Sequence, residues 1–388
     1  MRILIIGAGY AGLRTAIELD RRRALYGKQF TVTLLDQHPY HQLVQELHLA
    51  ATTAPDPTNV IVPLQTIFQR RAVQLYQGRV QRIEPLERQV RLVGGQSLSY
   101  DRLLIALGAE TNYGNVPGAQ QHTLPLRSYE QALRLRDHIA TCVEAAARAT
   151  DLRLRRTLLT FVIVGGGYTG CQVAGELVPY VSTLAHAAGI ARNELRIALL
   201  ERNGLLLKQA EPWANAYARR VFADLGVRVY LHTAVARVAE QALSTTANQV
   251  FRAGTIIWAG GIRAPALLAE SGLPTDALGR VRVDRYLRVE DQALIFAAGD
   301  CASIPATIDG PIPATASYAL RQGEHLAGTL LADMQGQAPR PYTPLRLGEV
   351  VSLGPGAAVG KPLGIPLTGI PAALLKQGIE TWYRSTLL

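Results

Sequence analysis

The sequence predicts an α/β protein with two parallel-sheet, dinucleotide-binding units of the Rossmann type, and three observations predict it. Two glycine-rich hexapeptides, GAGYAG from Gly7 to Gly12 and GGGYTG from Gly165 to Gly170, each follow an apolar run (RILII, TFVIV) and open an alanine- and leucine-bearing helical stretch. Each is followed at βαβ spacing by a second apolar run that ends on an acid, Asp36 in FTVTLLD and Glu201 in ELRIALLE. A late strand-like run, LIFAAGDCA, then ends in Gly-Asp at Asp300. A single such hexapeptide also occurs in ordinary turns, but two in strand–turn–helix context are specific. The first glycine (Gly7, Gly165) makes the tight turn and the second (Gly9, Gly167) lets backbone approach a pyrophosphate. The third (Gly12, Gly170) lets the helix pack on the strand, with phosphates at the helix N-terminus. A chain with two such sites is expected to hold two dinucleotides and pass electrons between them.

Residues 1–36 read as strand, turn, helix (Leu13 to about Arg22) and second strand. An acid closing that strand accepts hydrogen bonds from an adenosine ribose; the plainer alternative is a strand-end aspartate in a turn. Residues 72–106 alternate short β-branched runs with turns and end in YDRLLIALGA, a strand closing on Gly108. A helical pattern runs from about Ser128 to Ala147, and a polar, basic passage, ATDLRLRRT, leads to the second hexapeptide. The plan then repeats: helix Gln172–Ala187, strand ELRIALLE, and strands around VRVYL and TIIWAGG. Because the repeat period is 158 residues, it relates two domains and is not a solenoid. After Pro274 come VRVDRYLRV, the Gly-Asp strand and a helix, TASYALRQGEHLAGTLLADM. From about Pro341 glycine- and proline-rich turns precede a short helix, AALLKQGIETWYRSTLL, with Leu375, Ile379, Trp382 and Thr386 on one face.

The 388 residues suffice for two or three domains, and 48% hydrophobic with 18% charged residues is ordinary for a globular protein. The net charge is +10, carried mostly by arginine. No dense basic run is interleaved with aromatics, so nucleic acid is not expected as a partner, whereas an anionic membrane surface stays open. Runs such as Arg21–Arg23 and Arg153–Arg156 read as solvated faces. No stretch approaches the ~18–20 consecutive apolar residues of a transmembrane helix, and a buried-type strand at the very start leaves no room for a signal peptide. Cys142, Cys171 and Cys301 lie far apart without a CxxC, so neither a disulfide framework nor a metal site is expected.

Four motifs in order, GAGYAG, ALGAETNY at 106–113, GGGYTG and IFAAGDCA at 295–302, make the whole chain resemble the pyridine nucleotide–disulfide oxidoreductase superfamily. The resemblance implies FAD, held without a covalent link, at the first hexapeptide, with Asp36, Ala106, Gly108, Asp300 and Ala302 around it. It implies NADH as substrate at the second, with Glu201 on the ribose and Ala259, Gly260 and Gly261 as a wall of small residues. It also implies an FAD domain split by an inserted NADH domain, with a short C-terminal segment: 1–120, 121–272, 273–340 and 341–388. A carboxylate at Glu201 repels a 2′-phosphate, so NADH is favoured without excluding NADPH, Arg202 offsetting part of the repulsion. The stretch where disulfide reductases carry a redox pair reads HPYHQLVQELHLAATTA, with no cysteine.

Within that superfamily the chain resembles the type II NADH dehydrogenases, on HPYHQL at 38–43, GGGYTGCQVAGEL at 165–177, TIIWAGGIRAP at 255–265, VSLGPGAAVG at 351–360 and the final helix with Lys376, Trp382 and Tyr383. This implies hydride transfer from NADH to flavin and then two electrons to a membrane quinone, without proton pumping. It places the protein peripherally on the cytoplasmic side of a membrane and admits a homodimer. Glu176 and Lys376 become the candidate catalytic residues, with Ala316, Ser317 and Tyr383 on the quinone side. The chain departs from the family in ASYALRQG, where Ser317 and Arg321 replace glutamines. Two other readings are a soluble flavin reductase serving a small redox protein and a non-catalytic NADH-binding redox sensor.

Overall fold

Strands buried on both faces of a parallel sheet read as continuous apolar stretches, and RILII and TFVIV form the central strands of two such sheets. The computed structural model of the chain describes residues 1–26, 30–53, 55–208, 210–307 and 310–387. It comprises two units: Met1–Gln42 with Ile61–Glu110 and Ile262–Leu345, and Leu43–Val60 with Thr111–Gly261 and Arg346–Leu388.

The first unit's sheet runs Ile295–Ala297, Arg102–Ile105, Arg2–Ile6, Thr31–Asp36, Val73–Gln77, every neighbouring pair parallel. Ile3, Ile5, Ile6, Leu104 and Ile105 are all but inaccessible to solvent; burying each such side chain is worth about 1.5–3 kcal/mol. The helix Tyr10–Arg22 leaves the glycine turn and packs on the helix Ala316–Met334. Their closeness depends on Gly323, where a Cβ would lie 2.4 Å from the Ala11 carbonyl oxygen. The Thr15 hydroxyl sits 3.0 Å from the Gly323 carbonyl across the same contact.

The second unit repeats the design. Its sheet runs Leu124–Pro125, Thr255–Trp258, Thr160–Val164, Arg196–Leu200, Val227–Tyr230, again all parallel. The helix Tyr129–Arg148 is N-capped by Ser128, whose Oγ accepts from the Gln131 N–H. ATDLRLRRT, expected as a polar passage, runs into a helix, Leu152–Leu158, capped by the Asp151 carboxylate at 2.8 Å from the Arg153 N–H. Alternating Leu and Arg hide a helix that short, since Leu152 and Leu154 both stay exposed.

The tail belongs to this second unit. Strands Val350–Gly354, Ala357–Gly360 and Leu367–Thr368 form an antiparallel sheet, and the helix Gly369–Ser385 follows. That helix is inverted: Ala372, Lys376, Glu380 and Tyr383 turn inward or lie half-buried, while Ile370, Leu374, Ile379 and Trp382 stand 46–64% exposed. The apolar face predicted at Leu375, Ile379 and Trp382 therefore looks to solvent and the charges look in. No helix among the described residues is long and apolar enough to cross a membrane.

Candidate functional site

Each sheet presents its glycine turn at the carboxyl end of its central strand, and the two turns are built from the same hydrogen bonds. In the first unit the Gly7 N–H donates to the Leu35 carbonyl (2.8 Å) and the Ala106 N–H to Ile6 (2.8 Å). In the second, Gly165 donates to Leu200 (2.8 Å) and Ala259 to Val164 (2.8 Å). Gly7 and Gly165 hold φ of 104° and 107°, a region open to glycine at little cost. A Cβ on Gly7 would lie 2.2 Å from the Ala106 oxygen, and on Gly165 2.4 Å from the Ala259 oxygen. Gly12 and Gly170 back onto those same turns, their would-be Cβ atoms 2.0 Å from the Gly7 oxygen and 1.8 Å from the Gly165 oxygen. Gly9 and Gly167, by contrast, have room: a Cβ on Gly9 would come only to 4.0 Å from the Ala106 oxygen, and one on Gly167 would meet nothing within 4 Å.

The acids close both frames. Asp36 accepts from the N–H of Ala8 (2.6 Å) and of His38 (2.8 Å); Glu201 accepts from Gly166 (2.7 Å) and Asn203 (2.8 Å), and from the Asn203 amide at 2.5 Å. Burial pushes the Asp36 carboxyl up, against the backbone donors that lower it. The ring of His41, which sequence reasoning passed over, is completely buried behind the first turn. Its Nδ1 lies 2.8 Å from the Ala8 carbonyl and it meets Tyr10 edge to face. Burial lowers its pKa to about 4.

Both fingerprint helices, Tyr10–Arg22 and Tyr168–Ala187, start without a side-chain cap and without an acid in the first turn. Their first N–H groups and the positive end of the helix dipole are thus left for an anion. With open Gly9 and Gly167 beside them, the residues present fit a dinucleotide pyrophosphate at each turn.

The rest of the first site comes from the chain's later return to this unit. Asp300 sits in the turn Gly299–Cys301, held in place where the Gly299 N–H donates to the buried Gln322 side chain at 2.7 Å. Arg280, Asp300, Ala302, Thr315 and Gln322 line one cavity. Thr315 precedes the uncapped helix Ala316–Met334, and its buried Oγ1 has no hydrogen-bond partner. An orphaned hydroxyl of this kind is the mark of an expected ligand, and the cradle fits the flavin half of FAD. Gln322, Thr315 and Arg280 carry no motif of their own in the sequence. Ser317, on the same helix, accepts from Arg321 Nη1 at 2.8 Å, so these two residues bind each other.

In the second unit, Ala259, Gly260 and Gly261 form an edge with no side chain larger than a methyl group, with Gly261 at φ 145°. The preceding Trp258 is fixed by its indole N–H on the Asn112 carbonyl (2.9 Å). Glu176 is 5% exposed and is not a surface glutamate; the Thr53 hydroxyl donates to it at 2.8 Å. Burial raises its pKa, while Thr53 and the charge of Lys376 lower it. Lys376 pairs with Glu380, and Arg384 pairs with the buried Glu46. Tyr383 is buried on the same helix. Glu46 and His48 lacked any spacing signal and become visible only where the last helix meets Leu43–Val60.

The cysteines stand apart from all this. Cys142, Cys171 and Cys301 are buried thiols; burial pushes Cys171 well up and Cys301 to about 12. Cys171 and Cys301 are therefore not thiolate nucleophiles near neutral pH. Among the described residues no cluster of His, Cys, Asp and Glu could hold a metal ion.

Comparison with known proteins agrees with this architecture. A type II NADH:quinone oxidoreductase of Staphylococcus haemolyticus is 29% identical over 384 residues, covering 98% of this chain and 94% of the relative. The enzyme of that name from Staphylococcus aureus is 28% identical over the same span. Among solved structures, NDH2 from Plasmodium falciparum in complex with NADH superposes with a TM-score of 0.89 at 17% identity, over 100% of this chain and 94% of that one. The sulfide:quinone oxidoreductase of Aquifex aeolicus superposes at 0.80 and 17%, over 100% and 91%. The pyridine nucleotide-disulphide oxidoreductase family matches residues 1–323, and with two Rossmann-type frames in place the chain belongs to that family and is an oxidoreductase.

Proposed function

We propose that the protein is an FAD-dependent NADH:quinone oxidoreductase that works without proton pumping, attached peripherally to the cytoplasmic face of a membrane. The observation that carries this reading is the duplicated turn: two uncapped helix N-termini, each behind an open glycine and an acid, in one chain that lacks an exposed thiol. The names borne by the staphylococcal relatives support quinone as the acceptor. Bound flavin supplies the two-electron chemistry that links hydride donor to quinone.

The chain's own residues supply placement. The first unit would hold FAD between the Gly7–Gly12 turn, Asp36 and the Asp300 cradle; residues 1–120 and 273–340 would be the split FAD domain, and 121–272 the NADH domain. The Gly165–Gly170 turn and Glu201 would take the adenosine half of NADH, with Ala259–Gly261 leaving room for its nicotinamide. Glu176 and Lys376 would hold the proton and the charge that quinone reduction needs. Ala316, Ser317 and Tyr383 would flank the acceptor. The outward apolar face of the last helix, with the exposed Leu363 and Ile365 before it, suits insertion at the headgroup level of a bilayer.

The test is direct. The purified protein should show a flavin spectrum, and NADH oxidation should accelerate on adding a quinone and stay slow with ferredoxin or with no acceptor. A colourless protein, or NADH oxidation indifferent to quinone, would overturn the reading.

A further inference from the structure

Among the described residues, three carboxyls (Glu46, Glu176, Glu380) and two cationic side chains (Lys376, Arg384) converge on the inner face of the last helix, and the pairing leaves one carboxyl over. Arg384 takes one oxygen of Glu46, and Lys376 takes Glu380. Glu176 is left with a neutral donor, the Thr53 hydroxyl. Glu46 is 3% exposed, and its Oε1 is buried without a hydrogen-bond partner. His48, on the neighbouring turn, is held neutral: burial, then the Lys376 charge, lowers its pKa well below the ordinary value. From the helix Tyr129–Arg148, Arg136 reaches toward this segment but donates to the Ala50 carbonyl at 3.2 Å. From the helix Tyr168–Ala187, besides Glu176, the neutral Gln172 amide faces the Gln45 carbonyl.

A buried carboxylate with no matching cation takes up a proton instead of staying charged. Burial raises both Glu46 and Glu176, and the charge of Glu380 raises Glu46 further against the pull of Arg384 and Lys376. The surplus proton belongs to the cluster and not to one member.

We propose that Glu46 is a positioning residue that shares a single surplus proton with Glu176 around the Lys376–Glu380 pair, and so keeps Glu176 protonated for delivery. This rests on the NADH:quinone reading. Reduction of a quinone to its quinol consumes two electrons and two protons. Hydride from NADH brings both electrons and one proton, leaving NAD⁺; the second proton is the one the cluster holds and regains from water.

Glu46→Gln tests this, since its amide oxygen can still accept from Arg384 but it cannot titrate. The variant should keep its flavin and reduce ferricyanide, which takes electrons only, within about twofold of wild type, while quinone-linked kcat falls about tenfold with little change in quinone KM. Losing one negative charge lowers the pKa of Glu176, so the alkaline limb of the quinone rate moves to lower pH. Glu46→Asp should restore much of the rate. A second readout needs no acceptor: the infrared stretch of a protonated carboxyl, present near neutral pH in wild type, should weaken in Glu46→Gln. That measurement judges the shared proton even if wild-type protein fails to use quinone, an outcome that would sink the functional reading instead. An unchanged infrared band with an unchanged pH profile overturns the proposal, as does equal loss of ferricyanide and quinone rates. Should Glu46→Gln not fold, Glu46→Asp carries the pH readout, its shorter arm displacing the alkaline limb of the quinone rate while the ferricyanide rate stays put; an undisplaced limb would then overturn the proposal.

Discussion

Acid should loosen the first unit through His41. Its ring is fully buried against the Ala8 carbonyl, and its pKa falls from 6.5 to about 4. The unfolded chain therefore binds a proton more readily than the folded one. The stabilisation is complete above about pH 6.5 and drains away as pH falls through 4. A displacement of that size is worth about 3 kcal/mol in full, and about 2 kcal/mol of it is lost between pH 7 and pH 5. Asp36, Glu46 and Glu176 have raised pKa values and work the other way, gaining relative to the unfolded chain on acidification. The His41 share must therefore be read as a difference between wild type and His41→Asn, whose amide can still donate to the Ala8 carbonyl. Urea transitions followed by flavin fluorescence at the two pH values report this unit, where a whole-chain signal would mix two domains. Wild type should lose its advantage over the variant by about 2 kcal/mol on acidification. Parallel behaviour of the two proteins would show that His41 titrates alike in the folded and the unfolded chain, and the argument from burial would fail.

Four further outcomes are expected. Gly12→Ala should cost flavin binding, whereas Gly170→Ala should leave the flavin spectrum intact and weaken NADH binding, because each Cβ would strike its own turn's carbonyl; loss of flavin from Gly170→Ala would contradict this. Glu201→Gln should raise NADPH use relative to NADH, and because its NH2 must face a donor in the Gly166–Asn203 frame it should also cost about 1–3 kcal/mol of stability; an unaltered cofactor ratio would mean that Glu201 does not touch the ribose. The triple Cys→Ala variant should retain quinone-linked turnover, its abolition with flavin still bound being the contrary result. Leu374→Ser with Trp382→Ser, both on the outward face, should leave ferricyanide reduction unchanged and weaken binding to anionic vesicles; undiminished binding would remove the helix from membrane attachment.

The parallel sheets and both turns were legible in the sequence because their constraints are local. A glycine at φ near 105°, a strand before it and an acid closing the next strand must lie at fixed spacings. Glu176, which the resemblance placed among the catalytic candidates, is likewise buried. What could not be read was everything fixed by distant partners. Gln322 matters because it holds Gly299, 23 residues away; Glu46 matters because Arg384 reaches it from 338 residues along the chain. The helix Leu152–Leu158 escaped for a different reason, since seven residues with two exposed leucines carry no usable period. The last helix was seen, but which of its faces turns inward depends on charges waiting on another segment.

Gly175 has a bearing on how freely this protein can vary. It sits one residue before Glu176 on the fingerprint helix, and a Cβ there would fall 2.1 Å from the Leu353 carbonyl oxygen in the tail. Even alanine is therefore barred unless the helix slides or the tail strand retreats. The first movement would carry Glu176 away from Thr53. The tail and the fingerprint helix can thus drift in sequence only together. A graft of this helix into a relative with a differently placed tail would inherit the carboxyl but not its address.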